Sequence, residues 1–141
     1  MNINLNESLG FLIVQVCRAH RNKAQELRVG IGLYPGQEFL LLNVCPARGF
    51  TQTELAERLG VRPATLTRML DRMENAGFVE RRANASDRRV TRIHTTVLGG
   101  SMEEPILSLR SELDQLSFEG FNKEDVETLV TLLGQVLKNL S

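Results

Sequence analysis

Residues 51–95 read TQTELAERLGVRPATLTRMLDRMENAGFVERRANASDRRVTRIHT, and the periods within this stretch decide the fold. Thr51-Gln52-Thr53-Glu54 has the form of a capping box, a hydroxyl at the cap and a glutamate three residues on. Leu55, Ala56 and Leu59 follow at helical spacing, and Gly60 closes a short helix. Pro63 falls at the first position of the next helix, where its fixed φ suits the turn. Leu66, Met69, Leu70 and Met73 line one side of that helix as far as Asn75-Ala76-Gly77. Beyond Gly77 the period changes from helical to alternating. Residues 78–82 and 90–95 read as two short strands joined by a polar, turn-forming loop over 83–89. Arginines sit at the tip of this β-hairpin.

Helix, tight glycine turn, helix and hairpin in that order are the layout of a winged helix-turn-helix. In such a layout Leu55 and Leu59 pack on Leu66 and Leu70. The opposite side of the second helix, with Ala64, Thr65, Thr67, Arg68 and Arg72, is then free to enter a major groove. Small residues at 64, 65 and 67 allow close approach, and Arg68 and Arg72, one turn apart, reach base edges or the phosphate wall. Arg62 stands beside the helix N-terminus, itself a phosphate site. Arg88 and Arg89 face the neighbouring minor groove or backbone, with Asp87 orienting an arginine. Arg72 has a competing role, because Asp71, Glu74 or Glu80 could hold it in an ion pair. Arg81 and Arg82 alternate on a strand, so at most one of them faces DNA.

The charge distribution agrees. Basic and acidic residues balance at 17 each, but the chain is polarised. Residues 62–92 hold eight arginines against four carboxylates and no lysine, a net +4. Residues 1–61 carry a net +1 and residues 93–141 a net −5. An Arg-rich centre is a local anion-binding surface, and the planar guanidinium holds phosphate or a guanine edge at two points. Around this centre the pattern is helical. Leu9, Leu12, Ile13, Val16, Cys17, Ala24 and Leu27 mark a helix over 7–28, ended by Gly30-Ile31-Gly32. Tyr34-Pro35-Gly36 starts a second helix, with Pro35 in its first turn, and Pro46 stops it. After Val97, Leu98 to Leu116 resume the helical period, bent or broken at Pro105, and Gly99-Gly100 punctuates the passage from hairpin to helix. Asn122 and Asp125 cap a final helix. The prediction is a mainly α protein with a small β wing, one domain over 1–141. Residues 33–96 form its winged helix-turn-helix DNA-binding region, and residues 1–32 and 97–141 its helical dimerisation region.

Leu33-Tyr34-Pro35-Gly36-Gln37, Phe50-Thr51-Gln52-Thr53-Glu54-Leu55-Ala56 and Thr65-Leu66-Thr67-Arg68-Met69-Leu70-Asp71-Arg72-Met73-Glu74 resemble the MarR family of regulators. Ala76-Gly77-Phe78-Val79-Glu80-Arg81-Arg82 and the wing's Asp87-Arg88-Arg89 continue the resemblance. It implies a homodimer whose two winged domains bind a palindromic operator. It further implies a repressor released from DNA by a small aromatic or phenolic effector, or by thiol oxidation. A crevice for the effector is expected between the first two helices, the fifth helix and the winged domain. Two departures stand out. The recognition-helix cap, often Ser in the family, is Arg62 here, which forgoes a side-chain cap worth about 1 kcal/mol. After the wing, Thr95-Thr96 replaces a frequent Leu-Thr pair, which is expected to loosen the hairpin's hold on the core.

Other functions fit less well. Cys17 and Cys45 lack CxxC spacing, and with His20 and His94 far apart no metal site is expected. A redox role for Cys17 draws on Arg18 and His20 nearby. However, the family's peroxide-sensing branch carries its cysteine nearer Leu9 with tyrosine partners missing here, so packing is the simpler role for both cysteines. No catalytic triad, metal set or nucleotide loop suggests an enzyme, and no cofactor is expected beyond the effector. A winged module that binds only protein is countered by the retained arginines at 62, 68, 88 and 89. No apolar run reaches membrane-spanning length, and the stretch from Leu9 to Cys17 lacks the basic flank of a secretory signal. The expected location is the cytoplasm, where the Asn84-Ala85-Ser86 sequon has no meaning.

Overall fold

The computed structural model describes residues 8–44 and 48–141. Cys45 and Pro46, and the first seven residues of the expected N-terminal helical region, lie outside them. The order is α1 (Leu9–Val29), α2 (Gln37–Asn43), α3 (Gln52–Leu59), α4 (Pro63–Asn75), β1 (Val79–Ala83), β2 (Thr91–Thr95), α5 (Val97–Gly100), α6 (Glu103–Ser117) and α7 (Lys123–Leu140).

The capping box forms at α3: Thr51 Oγ1 accepts from the Glu54 N–H at 3.2 Å, and Glu54 Oε2 accepts from the Thr51 N–H at 3.0 Å. Gly60, at φ 63°, ends the helix in the left-handed conformation that a side chain would resist. Pro63 opens α4, whose Leu66, Leu70 and Met73 are fully buried. They meet Leu55, Leu40, Phe78, Val79, Ile93 and Ile106 in one continuous core, with Leu59 and Met69 packed at its edge. The two strands are antiparallel, Val79 opposite Thr95 through Ala83 opposite Thr91. Phe50 adds a bridge to Ile93 by two backbone hydrogen bonds of 2.7 and 3.0 Å. The segment before α3 therefore lies along the free edge of β2.

Several details depart from the sequence-based expectation. Pro35 stands outside α2, in the turn before the cap Gly36, whose φ of 85° sets where the helix can begin. Pro105 neither bends nor breaks a helix, because it occupies the first turn of α6, where a missing N–H costs nothing. The break comes earlier, between α5 and α6. Gly99-Gly100 is not punctuation but the body of α5. A Cβ on Gly99 would stand 1.9 Å from the Phe78 carbonyl oxygen, so the glycine lets α5 pack directly on the start of the wing. Of the Thr95-Thr96 pair, Thr96, which matches the second residue of the frequent Leu-Thr pair, fastens the hairpin, whereas Thr95, the departure itself, buries a hydroxyl without a hydrogen bond. Thr96 Oγ1 donates to the Gly77 carbonyl and accepts from the Gly99 N–H, capping α5, while its own N–H donates to the Phe78 carbonyl at 3.0 Å.

α1 packs against α6 and is pinned to α2 by a buried ion pair, Arg28 Nε to Glu38 Oε1 at 2.9 Å. The angle there does not make a hydrogen bond, but Arg28 also donates to Gln25 at 2.9 Å. Each charge suits its helix end, a cation in the last turn of α1 and an anion in the first turn of α2. α7 buries no residue at all, although Val126, Val130, Leu133 and Leu137 repeat along it.

Candidate nucleic-acid interface

The burial of α4 on one side leaves Arg62, Ala64, Thr65, Thr67, Arg68 and Arg72 exposed on the other. Arg62 caps α4 with backbone only, so its side chain is uncommitted. Neither Arg62 nor Arg68 makes an ion pair among the described residues. Thr67 is held more firmly: its hydroxyl donates to the Pro63 carbonyl and accepts from Gln52 Nε2, both at 3.0 Å. Gln52, which spacing did not single out, thus braces α3 against the outward face of α4.

Arg72 is not paired with Asp71, Glu74 or Glu80. Arg81 takes the first two, reaching Asp71 at 2.9 Å and Glu74 at 3.0 Å from β1. Arg72 instead lies over the Tyr34 ring, 5.8 Å from its centroid. Arg81 faces α4, whereas Arg82 pairs with Glu80 on the other face of the ribbon. At the wing tip Asp87 accepts from the Arg89 backbone at 3.1 Å and from its Nε at 3.2 Å. That arginine holds the Asp87 carboxyl below its ordinary value. The Arg89 side chain itself stays almost wholly in solvent, and Arg88 is exposed and unpaired among the described residues.

A recess of about 280 Å³ lies between α2, the end of β2, α5 and α6, bordered by Leu41, Phe50, Arg58, Thr95 and Glu103. No residue of α1 lines it, unlike the expected crevice. The Thr95 hydroxyl beside it is buried and makes no hydrogen bond. Arg58 lies over the Phe50 ring at 4.8 Å. Cys17 is exposed on α1, so within a single chain it does not fill a core position. Among the described residues no cluster of His, Cys, Asp and Glu could hold a metal, and no helix is long and apolar enough to cross a membrane.

Residues 33–91 match the MarR family. Wild-type apo MarR from E. coli is 31% identical, covers 92% of this chain and 96% of its own, and superposes with a TM-score of 0.75. The chain belongs to the MarR family. Its members are transcriptional regulators, not enzymes. A mutant E. coli MarR complexed with operator DNA is 30% identical, covers 97% of this chain and 99% of its own, with a TM-score of 0.79. The transcriptional regulator SlyA is 26% identical over 91% of this chain and 90% of its own, at a TM-score of 0.74. The MarR match begins at Leu33 and ends at Thr91, so it spans α2 to the start of β2 and includes α4 and the wing loop.

Proposed function

We propose that this MarR-family chain is a dimeric, cytoplasmic repressor that binds a two-fold symmetric operator. In this reading α4 enters the major groove, and Arg88 and Arg89 reach the flanking minor groove or backbone. The observation that carries it is the outward face of α4. Two uncommitted arginines flank residues small enough for close approach, on a helix whose opposite face is locked in the core. The likeness to a MarR bound to operator DNA supports the same reading.

Two-fold pairing is supported by surface area. The chain exposes 10477 Å², where a compact 15.8 kDa monomer exposes about 7300 Å². Exposed large apolar residues recur along α1 and α7, among them Leu12, Val16, Val130 and Leu133, and a second copy would cover them. A mobility shift on the DNA upstream of its own gene tests the reading. A discrete complex that resists non-specific competitor is expected, and binding no tighter than to scrambled duplex would overturn it.

Release by a small aromatic acid or phenol is part of the proposal. The recess between α2, α5 and α6 supports it, because it lies where the winged region meets α6, with Arg58 available to a carboxylate. Ligand seated there would bias the tilt of α4, and a coupling of about 1–3 kcal/mol changes DNA affinity by about 5–150-fold. Linkage requires saturating operator to weaken effector binding by the same factor. Equal effector affinities with and without operator would exclude release by that compound.

A further inference from the structure

The register of the wing sets two like charges face to face. Arg82 of β1 is paired with Arg92 of β2, and opposed side chains of an antiparallel pair share one face, where like charges repel. The next pair on that face is Glu80 with His94. The Phe50–Ile93 bridge lays Arg48 along the same edge. Arg48, Arg82, Arg92 and His94, with the loop that carries Asn84 and Ser86, line a recess of about 430 Å³.

The neighbouring carboxylates leave these cations incompletely answered. Glu80 is engaged by Arg82. Glu54 Oε1 accepts from Arg48 Nη2 at 3.5 Å, a long hydrogen bond, while its Oε2, which accepts the Thr51 N–H in the capping box, stands 3.6 Å from Arg92 Nη1. At 3.6 Å no hydrogen bond forms, and Arg92 Nη1 is buried without one. Three guanidinium groups thus meet two carboxylates, with a desolvated donor unsatisfied. A carboxylate offers two oxygens in one plane and suits a single arginine. A phosphate offers oxygens in three directions and can accept from all three arginines, which approach from different segments of the chain.

We propose that this recess binds a phosphate group, supplied on the operator by a backbone phosphate beside the wing. The site stands on its own geometry. Only its placement on DNA rests on the operator-binding reading, and it is favoured because the same loop continues into Asp87, Arg88 and Arg89.

The test titrates the full chain with inorganic phosphate at matched ionic strength and follows the arginine Nε–H resonances by NMR. Saturable shifts at Arg48, Arg82 and Arg92, absent with chloride and lost in Arg82→Gln, are expected. Arg82 is exposed, so this variant keeps its fold, which circular dichroism checks; Arg48→Gln provides a second probe. Unmoved arginine resonances in the wild type would overturn the site. On duplex DNA, Arg82→Gln should lower the salt slope of log K by about one and weaken operator and scrambled sequence by the same factor. If phosphate moves the resonances but the slope is unchanged, the site takes free phosphate and its placement on DNA is wrong. If the wild type binds no duplex, the operator reading fails while the phosphate titration still decides the recess.

Discussion

Arg72 and Arg81 lie on different elements and use different partners. Arg81, on β1, closes onto Asp71 and Glu74 of α4, which fixes the wing against the helix it accompanies. Arg72 is thereby left with only the Tyr34 ring among its described contacts, and its five donors remain for a ligand. This division was not legible in the sequence, because it depends on which side of α4 the strand passes. In the proposed interface the arginines should also separate by experiment. Arg89→Ala removes a solvent-facing charge at the wing tip, so it should weaken all operators alike and reduce the salt dependence of binding. Arg68→Ala should instead change the preferred half-site, by about 1–3 kcal/mol for each lost bidentate contact. Equal scaling of every sequence by both variants, read by competition binding, would remove Arg68 from base readout.

At the scale of elements, α3 depends on its capping box. Thr51→Ala should destabilise the fold by about 1 kcal/mol, seen as a lower midpoint in thermal unfolding. Glu54 adds a pH dependence whose sign is fixed. The Thr51 backbone N–H is the largest influence on its carboxyl and, joined by Arg92 and Arg48, outweighs the opposing effect of burial and holds it below the ordinary 4.5. Its contribution is therefore complete above pH 4.5 and is lost as pH falls through the lowered value. Glu54→Gln should flatten that acid limb. The passage from wing to α5 makes a sharper prediction. Gly99→Ala forces a Cβ onto the Phe78 carbonyl and should cost about 1–3 kcal/mol or more, whereas Gly100→Ala meets nothing within 4 Å and should be close to neutral. Similar melting points for the two variants would show that α5 can move off the wing. The capping box and Gly60 were readable from residue type and spacing. The tight seat of Gly99 was not, since its neighbour Phe78 lies 21 positions away.

At the scale of the molecule, the apolar stripe of α7 has no cover among the described residues. Val130, Leu133 and Leu137 are exposed at helical spacing on a helix that is otherwise well capped by Asn122 and Asp125. In the proposed dimer this stripe is buried, so Leu133→Asp should shift sedimentation toward the monomer and weaken operator binding. The winged region should keep its fold, because α7 contributes nothing to its core. A dimer of unchanged strength would place the interface elsewhere. The buried Arg28–Glu38 pair then gains a role, since it ties α1 to the start of α2. Removing one partner, as in Glu38→Ala, strands a buried charge and should cost about 3–5 kcal/mol.

Residue type and period alone determined α1, α3, α4 and α7, the hairpin and the polarity of α4, but not the start of α2 or the break between α5 and α6. Caps, glycine stops and one-sided apolar rows are local in the chain, and the backbone responds to them locally. The basic centre at 62–92 was equally plain, since charge can be counted without coordinates. Tertiary structure decided which charges remain available. Arg81 is consumed by α4, Arg82 and Arg92 are set opposite each other by strand register, and Thr96 caps α5 while the Thr95 hydroxyl is buried unpaired. Each of these outcomes depends on distances of a few ångströms between segments far apart in sequence. At that range an ion pair, a hydrogen bond or a steric clash is either made or missed, and no local pattern records which.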